Sequence, residues 1–542
     1  MKRQRNIRIG LCLLAGFIYR VCISIQGIDH VDAGFGTTFF QHILWQPDAL
    51  TYNYLYYLTG LLGGMLQWCT QGSYGLMGFR VFEALLLTAT VAMLAALYRR
   101  WVSSPILLMA AIGMSFLFPT IVTTLHYNTV TYALVVCAAY CYVRGQEQEQ
   151  HQARSLALML AAGVFIGLAF FARIVNLTLL VLVVVPWLMP GQTVRTRLLG
   201  SGSLLLGMVA GAGLTCGYMT ALGHWPYFTQ ALQEAGGTAG QDESSHSFVN
   251  LVLTYGYSLL KIASQMAVMM LCVWIDKWGS LRQSVTGRMT GGIVAMLIFV
   301  ALVITNPPYL PLAAVCTLIC ASSLTQTRGG QHVPSVALCF LALAAYVVPF
   351  GSDVGIAGIF HWMVGLLIFP TFHALEGLRR PIRRRALQAL ALIACLAIFK
   401  TAQRSYGSDC ARTEQTHRIS ERLNVLDSKQ KAVRCQQAIA AITHYAAGNP
   451  FLVLANHQTH LYYATGKIPF LGTTETHAYA GQALTERLDS RLQHYGGTYP
   501  VIAVIEGIGE SKPETQQVLK TYIEQHRYRL VCSADSIYIY IK

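Results

Sequence analysis

Charge is scarce in this sequence. Of 542 residues, only 12% are Asp, Glu, Lys or Arg, whereas 54% are hydrophobic. Mean hydropathy is +0.46. A soluble domain is about 25% charged, so the composition excludes an ordinary soluble protein and points to a polytopic membrane protein. Metal-type cysteine spacing is lacking too. The chain has 14 cysteines but no C-x-x-C and no Cys/His cluster, so no metal site is assigned. Cys137, Cys141, Cys216, Cys272 and Cys339 fall in apolar stretches and read as small hydrophobes. No basic stretch alternates with aromatics, which excludes nucleic acid as a partner despite a formal charge of +15. Internal repeats and low-complexity tracts are absent. The first apolar stretch, LCLLAGFIYRVCISI, carries Arg20 and is followed by no small-residue cleavage site. It is read as a retained helix and not as a signal peptide.

What is present is a succession of apolar segments. Hydropathy places about thirteen spans, roughly at 8–26, 76–98, 105–123, 129–143, 156–172, 175–189, 199–222, 250–275, 289–305, 309–325, 334–350, 360–376 and 386–400. Residues 51–68 are the ambiguous stretch. Counting them as a span would place Arg99 and Arg100 outside and invert every later loop. A helix lying on the membrane surface removes the conflict. One side then collects Lys2, Arg3, Arg5, Arg99, Arg100, Arg144, Lys277 and the run Arg379 to Arg385. By the positive-inside rule that side is cytoplasmic. Residues 27–75 and everything after Lys400 are expected outside, in an inner or plasma membrane.

Residues 404–542 change character. Short β-rich runs appear at 451–456, 501–506, 528–532 and 536–542, separated by helical stretches near 417–447, 480–495 and 513–526. This alternation predicts a small extracytoplasmic α/β domain over 401–542, following a transmembrane domain over 1–400. A mostly parallel sheet is expected, with 528–532 and 536–542 as an alternative hairpin at its edge. Cys410 and Cys435 flank a helix there and are candidates for a disulfide. No nucleotide-phosphate loop follows the strands, so the tail is assigned to acceptor recognition or lid support.

The stretch 27–75 stands apart. It holds Asp29, Asp32 and Asp48 and no Lys or Arg. Asp29 and Asp32 lie three apart, so one helical turn brings both to one side. Acids at a membrane face suit a general base that takes a proton from a hydroxyl; acids in outer loops are also often plain solvated groups. Tyr52, Tyr54, Tyr56, Tyr57 and Trp68 suit the headgroup level, either to seat a lipid tail or as an interfacial brace.

The residues Asp32-Ala33-Gly34-Phe35, Gln41, Pro47, Tyr52-Asn53 and Tyr56-Tyr57-Leu58-Thr59-Gly60 resemble the first outer loop of the GT-C class of integral-membrane glycosyltransferases. The likeness is to a bacterial branch of the polyprenyl-phosphate-sugar-dependent enzymes, akin to dolichyl-phosphate-mannose mannosyltransferases and aminoarabinose transferases. His126-Tyr127-Asn128-Thr129 and Phe171-Ala172-Arg173-Ile174-Val175-Asn176 are similar to two outer turns of that class. Many relatives carry Glu where this chain has Ala33. The resemblance implies an inverting transfer from a polyprenyl-phosphate sugar to a glycan, lipid or protein. It implies Asp32 as base, with Asp29 as the second candidate. A divalent cation is possible in the class, but no cofactor is required by these residues. The rival readings are a lipid-linked-sugar flippase or transporter, and a polysaccharide polymerase or ligase.

Other candidates follow the same logic. Arg173 either neutralises the donor phosphate or pairs with an outer acid. Lys261, inside an apolar segment, reaches the phosphate or pairs with Glu83. Asn128 and Asn176 shape turns or touch sugar, and His126 lies beside them. In the Gly-rich loop 223–249, Asp242, Glu243 and His246 are candidates for binding sugar or acceptor. Asp353 and His361 are candidates for the rim of the same cavity.

Overall fold

The structure is a computed structural model. It describes the chain apart from residues 1, 30, 119–123, 149–150, 189–191, 240–246, 282–284, 327–331, 353–354, 406–409, 477–478, 480 and 507–512. The expectations at Asp242, Glu243, His246 and Asp353 lie outside the described residues.

Helix α1 (Lys2–Ser24) is followed by α2 (Asp32–His42), a short 3-10 helix (Tyr52–Tyr56) and α3 (Tyr57–Thr70). Then come α4 (Gly75–Tyr98), α5 (Pro105–Leu117), α6 (Tyr127–Gln146) and α7 (Gln152–Ala172). A 3-10 stretch (Ile174–Leu188) leads to α8 (Val194–Ala221), α9 (Trp225–Ala239), α10 (Phe248–Leu281), α11 (Val285–Thr305) and α12 (Tyr309–Gln326). The helical part ends with α13 (His332–Val347), α14 (Gly355–Met363), α15 (Gly365–Gly377) and α16 (Arg380–Gln403). Six of these helices, including α1, α4, α7 and α16, are long and apolar enough to cross a membrane, and five described helices are apolar but shorter. The expected segment 360–376 is not one helix. It is divided between α14 and α15 around Val364. The protein is an integral membrane protein. Its helices turn bare apolar side chains outward, as α10 does with Leu253, Leu260 and Val273, which lipid tolerates and water does not.

Helix packing follows small residues. A Cβ on Gly163 of α7 would lie 2.1 Å from the Leu204 carbonyl oxygen of α8, and one on Gly207 would lie 2.1 Å from that of Leu160. Only glycine lets the two backbones approach this closely, the usual device where lipid offers no hydrophobic drive.

Helix α3 has 14 residues, about 21 Å of rise and short of the roughly 30 Å hydrocarbon core. It lies against α2, with Gly60, Gly63 and Gly64 facing Phe39, Phe40 and Ile43. Part of the loop expected at 223–249 is instead helix α9. Its Tyr227 and the preceding His224 cover the ring of Tyr54 at 5.6 Å each.

The tail holds a two-stranded ribbon, β1 (His417–Arg418) with β2 (Leu426–Asp427), and a five-stranded sheet. The sheet strands are β3 (Phe451–Leu454), β4 (Ile468–Pro469), β5 (Val501–Ile505), β6 (Arg529–Ala534) and β7 (Ile537–Ile541), in the order β4-β3-β5-β7-β6. The sheet is mixed, which corrects the mostly parallel expectation: β3 pairs parallel with β4 and β5, but β7 runs antiparallel to both β5 and β6. The reason is local. Asp535 and Ser536 both have positive φ, the geometry of a tight hairpin that folds β7 straight back on β6. Helices α17 (Lys429–Tyr445) and α18 (His460–Thr465) cover one face, where Leu452 and Leu454 point. Helices α19 (Gly481–His494) and α20 (Pro513–Gln525) cover the other, where Val453 and Ile502 point. Alternation along β3 therefore buries both faces. No disulfide is formed among the described residues, and Cys435 is buried against His460, Sγ to Nε2 3.6 Å. The expected Cys410–Cys435 bond is not formed, because α17 turns Cys435 into the core.

The tail is joined to the first loop. Gly27 N–H donates to the Leu426 carbonyl (2.8 Å), and Leu426 N–H donates to that of Ile25 (2.9 Å). Thr459 Oγ1 donates to the Val31 carbonyl. Arg491 donates to Thr51 Oγ1 (3.0 Å), and Arg487 pairs with Glu234 of α9 (2.8 Å). The first loop and the tail therefore lie on one side of the helices.

Candidate functional site

Asp29 and Asp32 have different surroundings. Asp29 Oδ1 accepts from Val31 N–H (2.9 Å), and the backbone N–H of Asp32 donates to the same carboxylate. It caps the exposed donors at the start of α2. Burial raises the Asp29 pKa, opposed by these two hydrogen bonds and by the nearby Arg80. Arg80 itself is held by the Ser24 and Gly27 carbonyls, with 2.8 Å to the latter. Asp32 is half-buried in the first turn of α2. It sits where the tail meets the loop, because a Cβ on Gly34 would lie 2.0 Å from the His460 backbone nitrogen. Asp48 stands farther along, 3.4 Å from His494 of the tail.

From α2 a line of rings leads inward. Phe35 packs edge-on to Tyr56 (5.6 Å) and Tyr56 stacks on Tyr127 (4.4 Å). Arg173 stands over Tyr127 at 5.6 Å. His126 stacks on Trp362 at 4.8 Å and 5° between planes. His361 lies 5.7 Å from Tyr309. His126, Asn128, Arg173, His361 and Trp362 are each 5% exposed or less. Among the described residues, His126 Nε2, both amide atoms of Asn128, Arg173 Nη1, both ring nitrogens of His361 and Trp362 Nε1 find no partner. One such orphan costs about 1–3 kcal/mol. Buried polar groups ordinarily find a partner, water included, so this cluster is the candidate site.

The charges around this cage are committed. Glu83 receives both its contacts from one Arg20 nitrogen, at 3.0 and 3.1 Å, and a weaker one from Thr129 (3.4 Å). This corrects the expected pairing of Glu83 with Lys261. The Lys261 ammonium instead stands over Tyr257, 4.5 Å from the ring centre within α10. Asn176 is a brace: its amide donates to Thr131 Oγ1 and the Ala169 carbonyl, both at 2.8 Å. His126 Nδ1 accepts from Asn128 N–H (3.3 Å), so the proton is carried on Nε2 and points into the cage. Burial, aided by Arg173, lowers the His126 pKa to about 3, so the ring is neutral.

Tyr309, which packs near His361, also lines a separate cleft of about 180 Å³ with Phe118, Lys400, Arg404, Ser405 and Arg412. Lys400 spends two contacts on the Ile304 and Asn306 carbonyls (3.3 and 3.1 Å). Sequence reasoning singled out His126, Asn128, Arg173 and His361, which the structure brings together. It missed Trp362, Tyr309, Arg80 and the Lys400–Arg404 pair. The signals were present: Trp362 adjoins His361, and Asn306-Pro307-Pro308-Tyr309 interrupts an apolar run. Among the described residues, no three His, Cys, Asp or Glu side chains gather as a metal site.

No family model matches the chain, and no curated protein matches it. Solved structures do. The oligosaccharyltransferase of Archaeoglobus fulgidus, in complex with Zn and sulfate, is similar over 92% of this chain and 68% of its own, at 12% identity and TM-score 0.49. ArnT from Cupriavidus metallidurans, bound to undecaprenyl phosphate, is similar over 98% of this chain and 97% of its own, at 14% identity and TM-score 0.42. Both are GT-C glycosyltransferases. At these identities and scores the likeness assigns neither donor nor acceptor.

Proposed function

We propose that the protein is an inverting glycosyltransferase that moves a sugar from a polyprenyl-phosphate donor to an extracytoplasmic glycan, lipid or protein. The observation that supports this reading is the cluster of buried, unpartnered polar groups at Asn128, Arg173, His361 and Trp362, with a cationic cleft on the far side of Tyr309. The cleft takes the lipid phosphate, with Lys400 and Arg404 offsetting its charge and the polyprenyl tail running along α16. The sugar enters the cage, and Arg173 reaches its phosphate-bearing end. The acceptor hydroxyl arrives in the seam between α2 and the tail, where Asp32 is within the reacting region.

Asp32 takes the proton as the acceptor oxygen attacks the anomeric carbon. The new carbon–oxygen bond forms as the bond to phosphate breaks, and the electron pair leaves with the lipid phosphate. Attack from the opposite face inverts the anomeric carbon. Asp29, already engaged by the helix backbone, holds the first turn in place. The tail supplies one wall of the acceptor seam, which fits a recognition role. The cationic loops support an N-terminus in the cytoplasm and a tail outside.

The test uses the full-length protein in proteoliposomes with a panel of polyprenyl-phosphate sugars. Asp32→Asn preserves size but cannot accept the proton, so transfer should fall at least about a hundredfold while donor binding holds. Transfer by Asp32→Asn near the wild-type rate would remove Asp32 from the mechanism.

A further inference from the structure

Helix α16 begins with cations. Its first turn holds Arg380 and Arg383 and no acid, Arg379 precedes it, and no side chain caps it. The helix dipole favours anions at this end, so cations here are unfavourable unless an anion joins them. Arg380, Arg383, Arg384, Leu387, Gln388 and Ala391 line one open groove of about 500 Å³. Steps of three and four residues put them on one face of the helix. Among the described residues, no carboxylate pairs with Arg380, Arg383 or Arg384. The acids at this end of the helices are taken. Glu376 accepts from the N–H groups of Ser103 and Ser104 (2.9 and 2.7 Å), and Glu147 pairs with Arg100 and Arg144. This end lies away from the tail, since the opposite end of α4 is the one bonded to it, Leu76 N–H to the Arg422 carbonyl (3.1 Å).

We propose that this groove binds the headgroup of an anionic phospholipid, with an acyl chain of that lipid against Leu387 and Ala391. The two ends of the groove match the two ends of such a lipid. Guanidinium forks engage a phosphate through paired hydrogen bonds, and one turn farther along the wall becomes apolar. The helix is long and apolar enough to cross a membrane, so the groove sits where headgroups give way to chains. A charge bias that only orients the protein needs cations anywhere in the loop. It does not need three on one face around a groove that Arg379 and Arg385 do not line. A lipid held there fixes the depth of α16, whose 24 residues rise about 36 Å. The groove is at the far end of α16 from the cleft at Lys400 and Arg404, and its occupancy is independent of the proposed transfer.

The experiment uses the full-length protein in detergent, mixed with equal amounts of phosphatidylglycerol and phosphatidylcholine of matched chains. Native mass spectrometry reads the lipid retained. Phosphatidylglycerol should be retained at least about tenfold over phosphatidylcholine. Arg380→Gln, Arg383→Gln and Arg384→Gln together should bring that ratio to within about twofold, and Arg379→Gln should leave it unchanged. Ala391→Trp fills the apolar end of the groove without altering charge and should lower retention as well; it decides the matter if the triple variant does not fold. Excess inorganic phosphate should displace little of the lipid. Equal retention of the two lipids by the wild type overturns the proposal, as does a preference that survives the triple variant, a loss as great in Arg379→Gln, or unchanged retention in Ala391→Trp. Full displacement by inorganic phosphate would make the groove a site for free anions and overturn its assignment to lipid.

Discussion

Three carboxylates in one loop differ in their surroundings. Asp29 caps α2, Asp48 meets a tail histidine, and Asp32 stands where loop and tail converge. Asp29→Asn keeps an acceptor for the Val31 N–H, so it should reduce transfer by less than Asp32→Asn, and Asp48→Asn should matter least. Rates at equal amounts of folded protein decide; a dead Asp29→Asn beside an active Asp32→Asn would reverse the assignment. His42 carries a pH consequence. Its ring is buried in α2, and burial lowers its pKa from 6.5 to about 4, against the hydrogen bond that its Nδ1–H donates to Gln46 Oε1. A depressed pKa means the contribution to stability is complete above pH 6.5 and is lost as pH falls toward 4, because the unfolded chain then binds a proton the native ring refuses. The loss amounts to at most about 3 kcal/mol. Thermal unfolding in detergent from pH 7.5 to 4.5 should show it, and His42→Gln should flatten that slope. An unaltered slope would assign the linkage elsewhere.

At the scale of elements, the contact of α2 with α18 is a close joint between loop and tail. Gly34→Ala would push a methyl group into the backbone of Thr459 and His460. Such overpacking costs about 1–3 kcal/mol, and the tail should become sensitive to protease while the spanning helices stay protected. A tail as resistant as the wild type's would show that this joint does not hold it. The strands at 451–456, 501–506 and 536–542 were legible because their β-branched and aromatic runs are short and bounded by turn residues. The edge hairpin of 528–532 and 536–542 was legible only as an alternative, because it depends on Asp535 and Ser536 adopting positive φ, which their residue types permit but do not require. In the site, Asp32, His126, Asn128 and Arg173 were legible from the motifs that flank them. Trp362 beside His126, and Arg20 on Glu83, were not. Such pairs join helices far apart in sequence, and apolar periodicity carries no information on which helix faces which.

At the scale of the molecule, the side shared by tail and first loop can be tested directly. Single cysteines at Ser73 and Glu421, in a chain stripped of its own accessible cysteines, should react with an impermeant maleimide from the same face of oriented vesicles. Cysteines at Arg99 and Arg380 should react only from the opposite one. Labelling of Ser73 and Glu421 positions from different faces would break the proposed mechanism, since base and acceptor seam would be parted.

The bond between Gly27 and Leu426 also imposes an order in time. The segment bearing Asp32 leaves the ribosome early, and the residues that clasp it are among the last to be made. Until α16 has been inserted and the following polypeptide has crossed, the first loop has no Leu426, Thr459 or Arg491 to settle against. A nascent chain that already carries most of its helices therefore still lacks the partners of its first loop, and on the proposed reading it has no acceptor seam until the tail has folded.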